Sequence, residues 1–228
     1  MHIVESKTKK QTKATKFRDK LGVGMDTVLK PEPPKINILD GNITEVLSHP
    51  GVFSPEDCES IVKTNTPTEW EVSAVSSVQG GSEPAIRGTR RSLTNWVQPG
   101  SDNMELYDKM LALTLAANQR FRFEVEMFEA LQLARYEIGM YYDWHIDLGP
   151  GVTGNRKLSI SVQLSDPDSY EGGDLMLENG EGIENFVASR DIGSVIVFPS
   201  FMKHRVTPVT KGVRHSLVAW ASGQNRFR

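Results

Sequence analysis

The chain has 228 residues, of which 38% are hydrophobic, 24% charged and 8% aromatic. This composition is typical of a globular protein and excludes collagen-like, low-complexity and fully disordered chains. The formal net charge of −3 argues against a wholly basic nucleic-acid-binding protein, and the single cysteine, Cys58, excludes intrachain disulfides and cysteine-based zinc sites.

The N-terminal region differs from the rest in charge. Residues 1–20 hold seven lysines and arginines against two carboxylates, a net charge of +5 that leaves −8 for the remainder. Prolines at 31, 33 and 34 favour extended backbone. We therefore predict a basic arm and connector over 1–35 and a domain over 36–228. With no apolar run of membrane-spanning length and no secretory leader, we expect a cytoplasmic protein outside any membrane.

The first half of the chain is predicted to hold one strand, two helices and a long loop. The strand is expected over 43–47. Ser54 and Pro55 favour a helix start, with the helix running to about residue 63 and Cys58 facing the core. Residues 74–91 carry glycines and a proline without apolar periodicity, which indicates a long mobile loop. A second helix is predicted over 101–119, its apolar face formed by four residues: Met104, Tyr107, Leu111 and Leu115.

Strand-like segments dominate after residue 123. Alternating or β-rich stretches, most of them separated by turn-forming residues, occur at 130–138, 157–164, 174–178, 193–199, 204–209 and 213–221. Such regular short strands indicate a sandwich or barrel, and helices that precede them fit packing outside one sheet. The predicted class is mainly β with flanking helices (α+β).

Two histidines and one carboxylate form a candidate metal site. His145 and Asp147 lie two residues apart, so on a strand both side chains point to one face. His204 follows a later apolar strand. Two histidines and a carboxylate are the ligand set of non-haem iron(II), although three protein ligands also suit catalytic zinc.

Arg214 lies within an apolar strand. It either points to solvent through strand alternation or is held for an anionic ligand, since a guanidinium binds a carboxylate through two parallel hydrogen bonds.

Three stretches, in this order along the chain, resemble the motifs of a known protein family. They are Tyr136-x-x-Gly139-x-x-Tyr142-x-x-His145-x-Asp147, then residues 165–175, then residues 193–214. Over roughly 120–221, the domain core, the chain resembles the iron(II)- and 2-oxoglutarate-dependent dioxygenases, and within them the prolyl-4-hydroxylase-like branch with its PKHD-type hydroxylases. The resemblance implies a double-stranded β-helix, the jelly roll of cupin-like proteins.

The resemblance also implies roles for individual residues. His145, Asp147 and His204 match the iron ligands, and Arg214 with Tyr136 matches the pair that holds the distal carboxylate of 2-oxoglutarate. Trp220 matches a wall of that pocket. Ser161 and Gln163 lie on the strand expected at its floor.

Substrate contacts are expected from the predicted loop and from the pocket mouth. The loop 74–91 is a candidate lid, with Arg87, Arg90 and Arg91 available to an acidic or peptide substrate. Tyr142 and Asp143 are predicted at the mouth.

The function implied by the resemblance is an oxidoreductase, a dioxygenase that hydroxylates a C–H bond. The substrate is expected to be a prolyl or other residue of a peptide or protein. Fe(II), 2-oxoglutarate and O2 are implied, with L-ascorbate as reductant and succinate and CO2 as products. The same chemistry on a free amino acid or nucleobase is one alternative, and a non-catalytic jelly-roll binding module is another. No dedicated nucleic-acid binding is expected.

Overall fold

The structure, a computed structural model, describes residues 45–76, 82–84 and 89–224. The predicted basic arm, the proline-rich connector and Arg87 lie outside these residues. The division into an arm over 1–35 and a domain over 36–228 therefore stays a prediction. Across the described residues, none of the helices is long and apolar enough to cross a membrane.

Helix α1, Pro55–Asn65, begins where the sequence predicted and runs two residues further. The Ser54 hydroxyl accepts a hydrogen bond from the Asp57 N–H, and the Asp57 carboxylate accepts one from the Ser54 N–H. This reciprocal cap satisfies two backbone donors that a helix start otherwise leaves unpaired. Cys58 is fully buried, as predicted.

Helix α2, Met104–Phe121, follows a 3-10 turn over Ser101–Asn103. Its predicted apolar face was wrong, because Met104 and Leu115 are 42% and 51% exposed. The buried stripe is rotated around the helix and consists of Met110, Leu113, Thr114 and Ala117. Thr114 and Ala117 are small, and the Thr114 hydroxyl donates to the Met110 carbonyl, so this face can pack closely against the sheet.

Nine strands lie between residues 47 and 145. They are β1 Leu47–His49, β2 Glu71–Val72, β3 Ala74–Ser76, β4 Ser82–Pro84, β5 Arg90–Arg91, β6 Leu93–Val97, β7 Met127–Phe128, β8 Leu131–Tyr136 and β9 Tyr141–His145. The predicted loop over 74–91 is thus wrong in part, because β3 pairs with β4 as a hairpin and β5 joins a sheet. Strands of two or three residues carry too little alternation to be recognised in a sequence.

Five of the remaining eight strands lie in predicted segments, whereas Tyr170–Gly172, Phe186–Val187 and Val209–Gly212 were not predicted as separate strands. The eight strands are β10 Arg156–Gln163, β11 Tyr170–Gly172, β12 Leu175–Leu177, β13 Phe186–Val187, β14 Val195–Pro199, β15 His204–Val206, β16 Val209–Gly212 and β17 Arg214–Ser222. The first strand is also shifted, from the predicted 43–47 to Leu47–His49.

Two antiparallel sheets form the body of the fold. The large sheet has eight strands in the order β1-β14-β10-β17-β8-β6-β2, with β7 paired to β17, and the small sheet has the order β13-β12-β15-β9-β5. A buried apolar cluster joins them, with members from both sheets: Ala134, Tyr136, Leu175, Leu177, Ile196, Phe198 and Val206. Helix α2 packs against β10 of the large sheet. The predicted mainly β class with flanking helices is confirmed.

Candidate active site

A cavity of about 410 Å³ lies between the two sheets and collects most of the predicted site residues. Those that line it are Arg90, Tyr136, Tyr142, His145, Asp147, Ser161, His204, Arg214 and Trp220. Asp143 and Arg91 are exposed and do not line it. The structure thus removes the geometric support for these two as substrate contacts, and Arg87 is outside the described residues.

Strand pairing brings the two histidines together. His145 ends β9, His204 begins β15, and the two residues are direct Cα partners in the small sheet. Asp147 lies just beyond the end of β9, where its backbone N–H donates to the Ser200 carbonyl over 3.0 Å. One ligand atom from each of the three side chains lies within 4.8 Å of the other two. A single ion can therefore reach all three.

Hydrogen bonds fix which nitrogen each histidine offers to that point. The Nδ1 atoms of His145 and His204 lie 2.7 and 2.9 Å from the carbonyls of Asp143 and Met202. A carbonyl can only accept, so each Nδ1 atom carries a proton, and each Nε2 atom is the ring nitrogen left to bind a metal ion. The Nε2 atoms lie 3.7 and 3.6 Å from the Asp147 carboxylate oxygens. Hydrogen bonds from the other ring nitrogen to a carbonyl commonly orient histidines that bind a metal ion.

The Asp147 carboxylate is held from the opposite sheet. The Ser159 hydroxyl of β10 donates to Asp147 Oδ2 over 2.6 Å and lies 3.0 Å from the Ser200 hydroxyl. Ser159 shares the strand parity of Ser161 and Gln163, so alternation along β10 was the signal that could have found it. The sequence analysis missed Ser159.

Electrostatics favour the protonation states that a metal needs. Burial lowers the pKa of His145, and the neighbouring His204 lowers it further, so the imidazole stays neutral. Burial alone would raise the pKa of Asp147, but His204, His145, Arg156 and the Ser159 hydrogen bond outweigh it and lower that pKa. A neutral His145 imidazole beside the ionised Asp147 carboxylate offers a divalent cation two donors that need not first lose a proton.

Tyr142 packs directly on one of these histidines. The two rings are stacked, with centroids 3.4 Å apart and an interplanar angle of 10°. Burial raises the pKa of Tyr142 to about 12, so its hydroxyl is neutral at physiological pH. Tyr142 thus keeps the His145 ring in place as part of the cavity wall.

Arg214 supplies a buried cation on the large sheet. It is 3% exposed, which excludes the solvent-facing orientation left open by the sequence. Its direct partner across the strands is Tyr136 on β8, its Cζ lies 5.6 Å from that ring, and its Nη1 donates to the Ser216 hydroxyl over 3.4 Å. Of the described residues, none places a carboxylate within ion-pair distance of Arg214. A buried guanidinium in this situation is matched to an anionic ligand.

The other predicted pocket residues divide between two cavities. Trp220 lines the main cavity beneath the Arg156 guanidinium, whose Cζ lies 3.9 Å from its ring, and no described residue bonds its Nε1. Ser161 lines the main cavity and a small adjoining one, whereas Gln163 lines only the small one. The Gln163 amide donates to the Ser165 carbonyl and the Tyr170 hydroxyl, so it is engaged away from the metal point.

A pair of glycines lies beside Arg214. Gly172 ends β11 and Gly173 follows it, both with positive φ near 70°. A Cβ on Gly172 would lie 2.1 Å from the Pro208 carbonyl oxygen, and one on Gly173 would lie 3.0 Å from Arg214 Cδ. Both positions therefore need glycine, the second because it borders the stem of the arginine.

The comparison with protein families covers this core. Residues 131–222 match the model described as the 2OG-Fe(II) oxygenase superfamily. The match confirms the family predicted from the sequence, and it contains the strands that carry His145, Asp147, His204 and Arg214.

Curated relatives agree with the superfamily. The chain is 38% identical over 130 residues to the PKHD-type hydroxylase tll1907 of Thermosynechococcus vestitus, an alignment covering 54% of this chain and 57% of that protein. It is 40% identical over 96 residues to the PKHD-type hydroxylase Syncc9605_1577 of a Synechococcus species, covering 42% of this chain and 43% of that protein. The chain thus spans about half the length of these relatives.

Solved structures confirm the double-stranded β-helix fold. A prolyl-4-hydroxylase from Pseudomonas putida superposes with a TM-score of 0.63 at 21% identity, covering 80% of this chain and 94% of that one. A prolyl hydroxylase from Trichoplax adhaerens, in complex with a hypoxia-inducible-factor peptide fragment, superposes with a TM-score of 0.61 at 16% identity, covering 78% and 83% of the two chains.

Proposed function

We propose that this protein is an Fe(II)- and 2-oxoglutarate-dependent dioxygenase that hydroxylates a C–H bond of a peptide or protein, with a prolyl residue as the first choice of substrate. The observation that carries the proposal is one cavity that joins a two-histidine, one-carboxylate cluster to a buried arginine without a carboxylate partner among the described residues. This pairing suits a metal ion and a diacid bound together.

In this proposal, each residue has a physical task. His145, Asp147 and His204 hold iron through two neutral nitrogens and one carboxylate, and leave other coordination positions open. Arg214 binds the distal carboxylate of 2-oxoglutarate, and the Tyr136 hydroxyl assists it. Iron and 2-oxoglutarate, when bound, supply the oxidising chemistry with O2 and release succinate and CO2. Burial of the arginine and the triad keeps water from the reacting centre.

Similar proteins support the choice of a peptide substrate. The Trichoplax prolyl hydroxylase was solved with a peptide fragment, and the curated relatives are named as PKHD-type hydroxylases. The same cavity would also admit a free amino acid or a nucleobase, which stays the alternative substrate class. Ascorbate as reductant and a cytoplasmic location stay predictions.

A non-catalytic binding module is the remaining alternative. It does not account for a cavity that joins a two-histidine, one-carboxylate cluster to a buried arginine. It also leaves the burial of Arg214 without a purpose. Both features favour the enzyme.

The test is aerobic incubation of the protein with Fe(II), ascorbate and 2-oxoglutarate against a panel of proline-containing peptides. Succinate is quantified, and mass spectrometry is used to detect an added oxygen on the peptide. We expect succinate formation that requires iron and 2-oxoglutarate, with hydroxylation of at least one peptide. Succinate without any peptide product would move the substrate to the alternative class, and no succinate under any condition would refute the enzyme.

A further inference from the structure

A second buried arginine lines the cavity on the side of the small sheet. Arg90 is 8% exposed and pairs in register with Tyr142, the tyrosine stacked on His145. Its neighbour Arg91 is exposed and outside the cavity. Strand alternation therefore selects one arginine of the pair for the cavity.

Three contacts hold the Arg90 guanidinium in place. Its Nε donates to the Ser92 hydroxyl over 2.8 Å, and its Nη2 donates to the Gln132 side-chain oxygen over 2.9 Å. Its Cζ lies 4.6 Å from the centroid of the Tyr142 ring. A guanidinium has five N–H donors, so these two hydrogen bonds leave the outer edge of the fork available. All three partners are neutral and none offsets the positive charge.

The charges around the cavity leave Arg90 without a counter-ion. Arg156 is paired with Glu129 over 2.7 Å, and Asp147 faces the two histidines. The other acidic residue in the wall, Glu71, is exposed and forms no ion pair with Arg90. In the part of the chain that the structure describes, no carboxylate lies within ion-pair distance of Arg90.

Arg90 and Arg214 contact strand β8 at two different residues. Arg214 lies opposite Tyr136 of β8, whereas Arg90 bonds Gln132 of that strand. Four residues of strand separate the two anchors by about 13 Å. In the proposed function, 2-oxoglutarate is a short diacid with one carboxylate at the metal and the other at Arg214. Both of its charges therefore have partners without Arg90.

We propose that Arg90 is a specificity-determining residue that binds a carboxylate of the primary substrate. The proposal rests on the dioxygenase function proposed above. The carboxylate belongs either to an acidic side chain close to the reacting residue of a peptide or to the α-carboxyl group of a free amino acid. Arginine suits this task because its planar fork binds a carboxylate through two hydrogen bonds at once.

The experiment uses matched acid and amide probes. One arm scans Asp or Glu, against Asn or Gln, through positions flanking the proline of N-acetylated, C-amidated peptides. The other arm compares free amino acids with their amides. Binding is measured by tryptophan fluorescence with Mn(II) and 2-oxoglutarate present, because Trp96 and Trp220 line the cavity, and turnover is measured with Fe(II).

The wild-type protein should prefer an acid over its amide by about tenfold or more, as expected for a charge-assisted hydrogen bond. Arg90→Gln should reduce that preference to about twofold or less, with the change in KM rather than kcat. Arg90→Lys, which keeps the charge and loses the fork, should retain part of it. Arg91→Gln, the matched loss of charge on the same strand, should keep it whole. The arm that responds identifies the source of the carboxylate.

The proposal is overturned if the wild type shows no acid preference, if Arg90→Gln retains it, or if Arg91→Gln loses it equally. Thermal melting of each variant identifies a misfolded protein, in which case Arg90→Lys decides alone. Binding and turnover separate the two proposals. An Arg90-dependent binding preference without succinate formation rejects the oxygenase and keeps the carboxylate site, whereas turnover without a preference does the reverse.

Discussion

The two sheets contribute to the site in different ways. The large sheet presents Arg214, Tyr136 and Ser159 from long, well-buried strands, β8, β10 and β17. The small sheet presents the two histidines and Arg90 from the ends of strands of two to five residues. Ser159 lies inside a long ladder and is paired on both sides, and Arg214 and Tyr136 pair with each other at the ends of β17 and β8. The two histidines lie on short strands, and carbonyls two residues away orient their rings.

This difference assigns two kinds of task. The frame of the large sheet is suited to hold a co-substrate in one orientation, and the strand ends of the small sheet are suited to place metal ligands around a point. Asp147 belongs to both, because its backbone follows β9 while its carboxylate is bound by Ser159 of β10. Variants in each sheet should therefore fail in distinguishable ways.

The largest effect is expected at the metal ligands of the small sheet. His204→Ala removes one of three donors, so Fe(II) binding and succinate formation should both fall to background. Iron content after desalting and succinate release measure the two. His49→Ala is the matched control, since His49 lies on β1 outside the cavity. Full activity of His204→Ala would remove the triad from the proposal.

A large but separable loss is expected in the large sheet at Arg214. Arg214→Leu should raise the 2-oxoglutarate concentration needed for half-maximal succinate release by about a hundredfold, since a hydrogen-bonded charge pair is lost. Iron binding should not change. Arg135→Leu, a half-buried arginine on β8 outside the cavity, is the control. An unchanged requirement for 2-oxoglutarate in Arg214→Leu would contradict the carboxylate-binding role.

A smaller effect is expected where the sheets meet. Ser159→Ala keeps all three metal ligands and removes the hydrogen bond that orients Asp147, which should weaken Fe(II) affinity about 10- to 100-fold. Competition with a chelator measures that affinity, and Ser48→Ala on β1 serves as control. Unaltered affinity would show that Asp147 is positioned by its own backbone, without help from the large sheet.

The smallest predicted effect is on stability and concerns His215 of β17. Burial, Arg135 and Arg214 lower its pKa to about 4 from the usual 6.5. Between these values the unfolded chain binds a proton that the folded chain does not, so the free energy of unfolding should fall as the pH falls from 6.5 to 4.

His215→Gln should reduce this slope, and urea unfolding at pH 7 and pH 5 measures it. Two groups near His215 bear on the result: Glu137, which pairs with Arg135, and the Trp70 ring, whose centroid lies 6.2 Å away. The other histidines with lowered pKa values contribute equally to both proteins. An identical slope in the variant would mean that His215 titrates normally in the folded state.

The sequence predicts the site best where chemistry and strand spacing act together. The spacing of His145 and Asp147, and the apolar strand before His204, indicate a candidate metal site, and the resemblance to the dioxygenases adds Arg214 to it. The long strands β8, β10, β14 and β17 are also recognisable, because five to nine residues of alternating or apolar character separate a strand from a loop.

The sequence fails where contacts cross between sheets. Arg90 bonds Gln132, 42 residues away, from a strand of only two residues, so no local pattern distinguishes it from Arg91. The buried face of α2 was also missed, since the helix carries apolar residues on more than one side and only the sheet decides which are covered. Tertiary packing decides both cases.

Gly173 has a consequence for which substitutions the protein can tolerate. It carries no side chain, yet a methyl group there would press on Arg214 Cδ and Val209 Cγ2, each 3.0 Å from the added atom. An alanine at this position would force Arg214 or Val209 to shift by a few tenths of an ångström, at a backbone φ of +66° that alanine rarely adopts. Substitution of this glycine is therefore expected to disturb the position of Arg214 even though every charged and metal-binding residue of the cavity is kept.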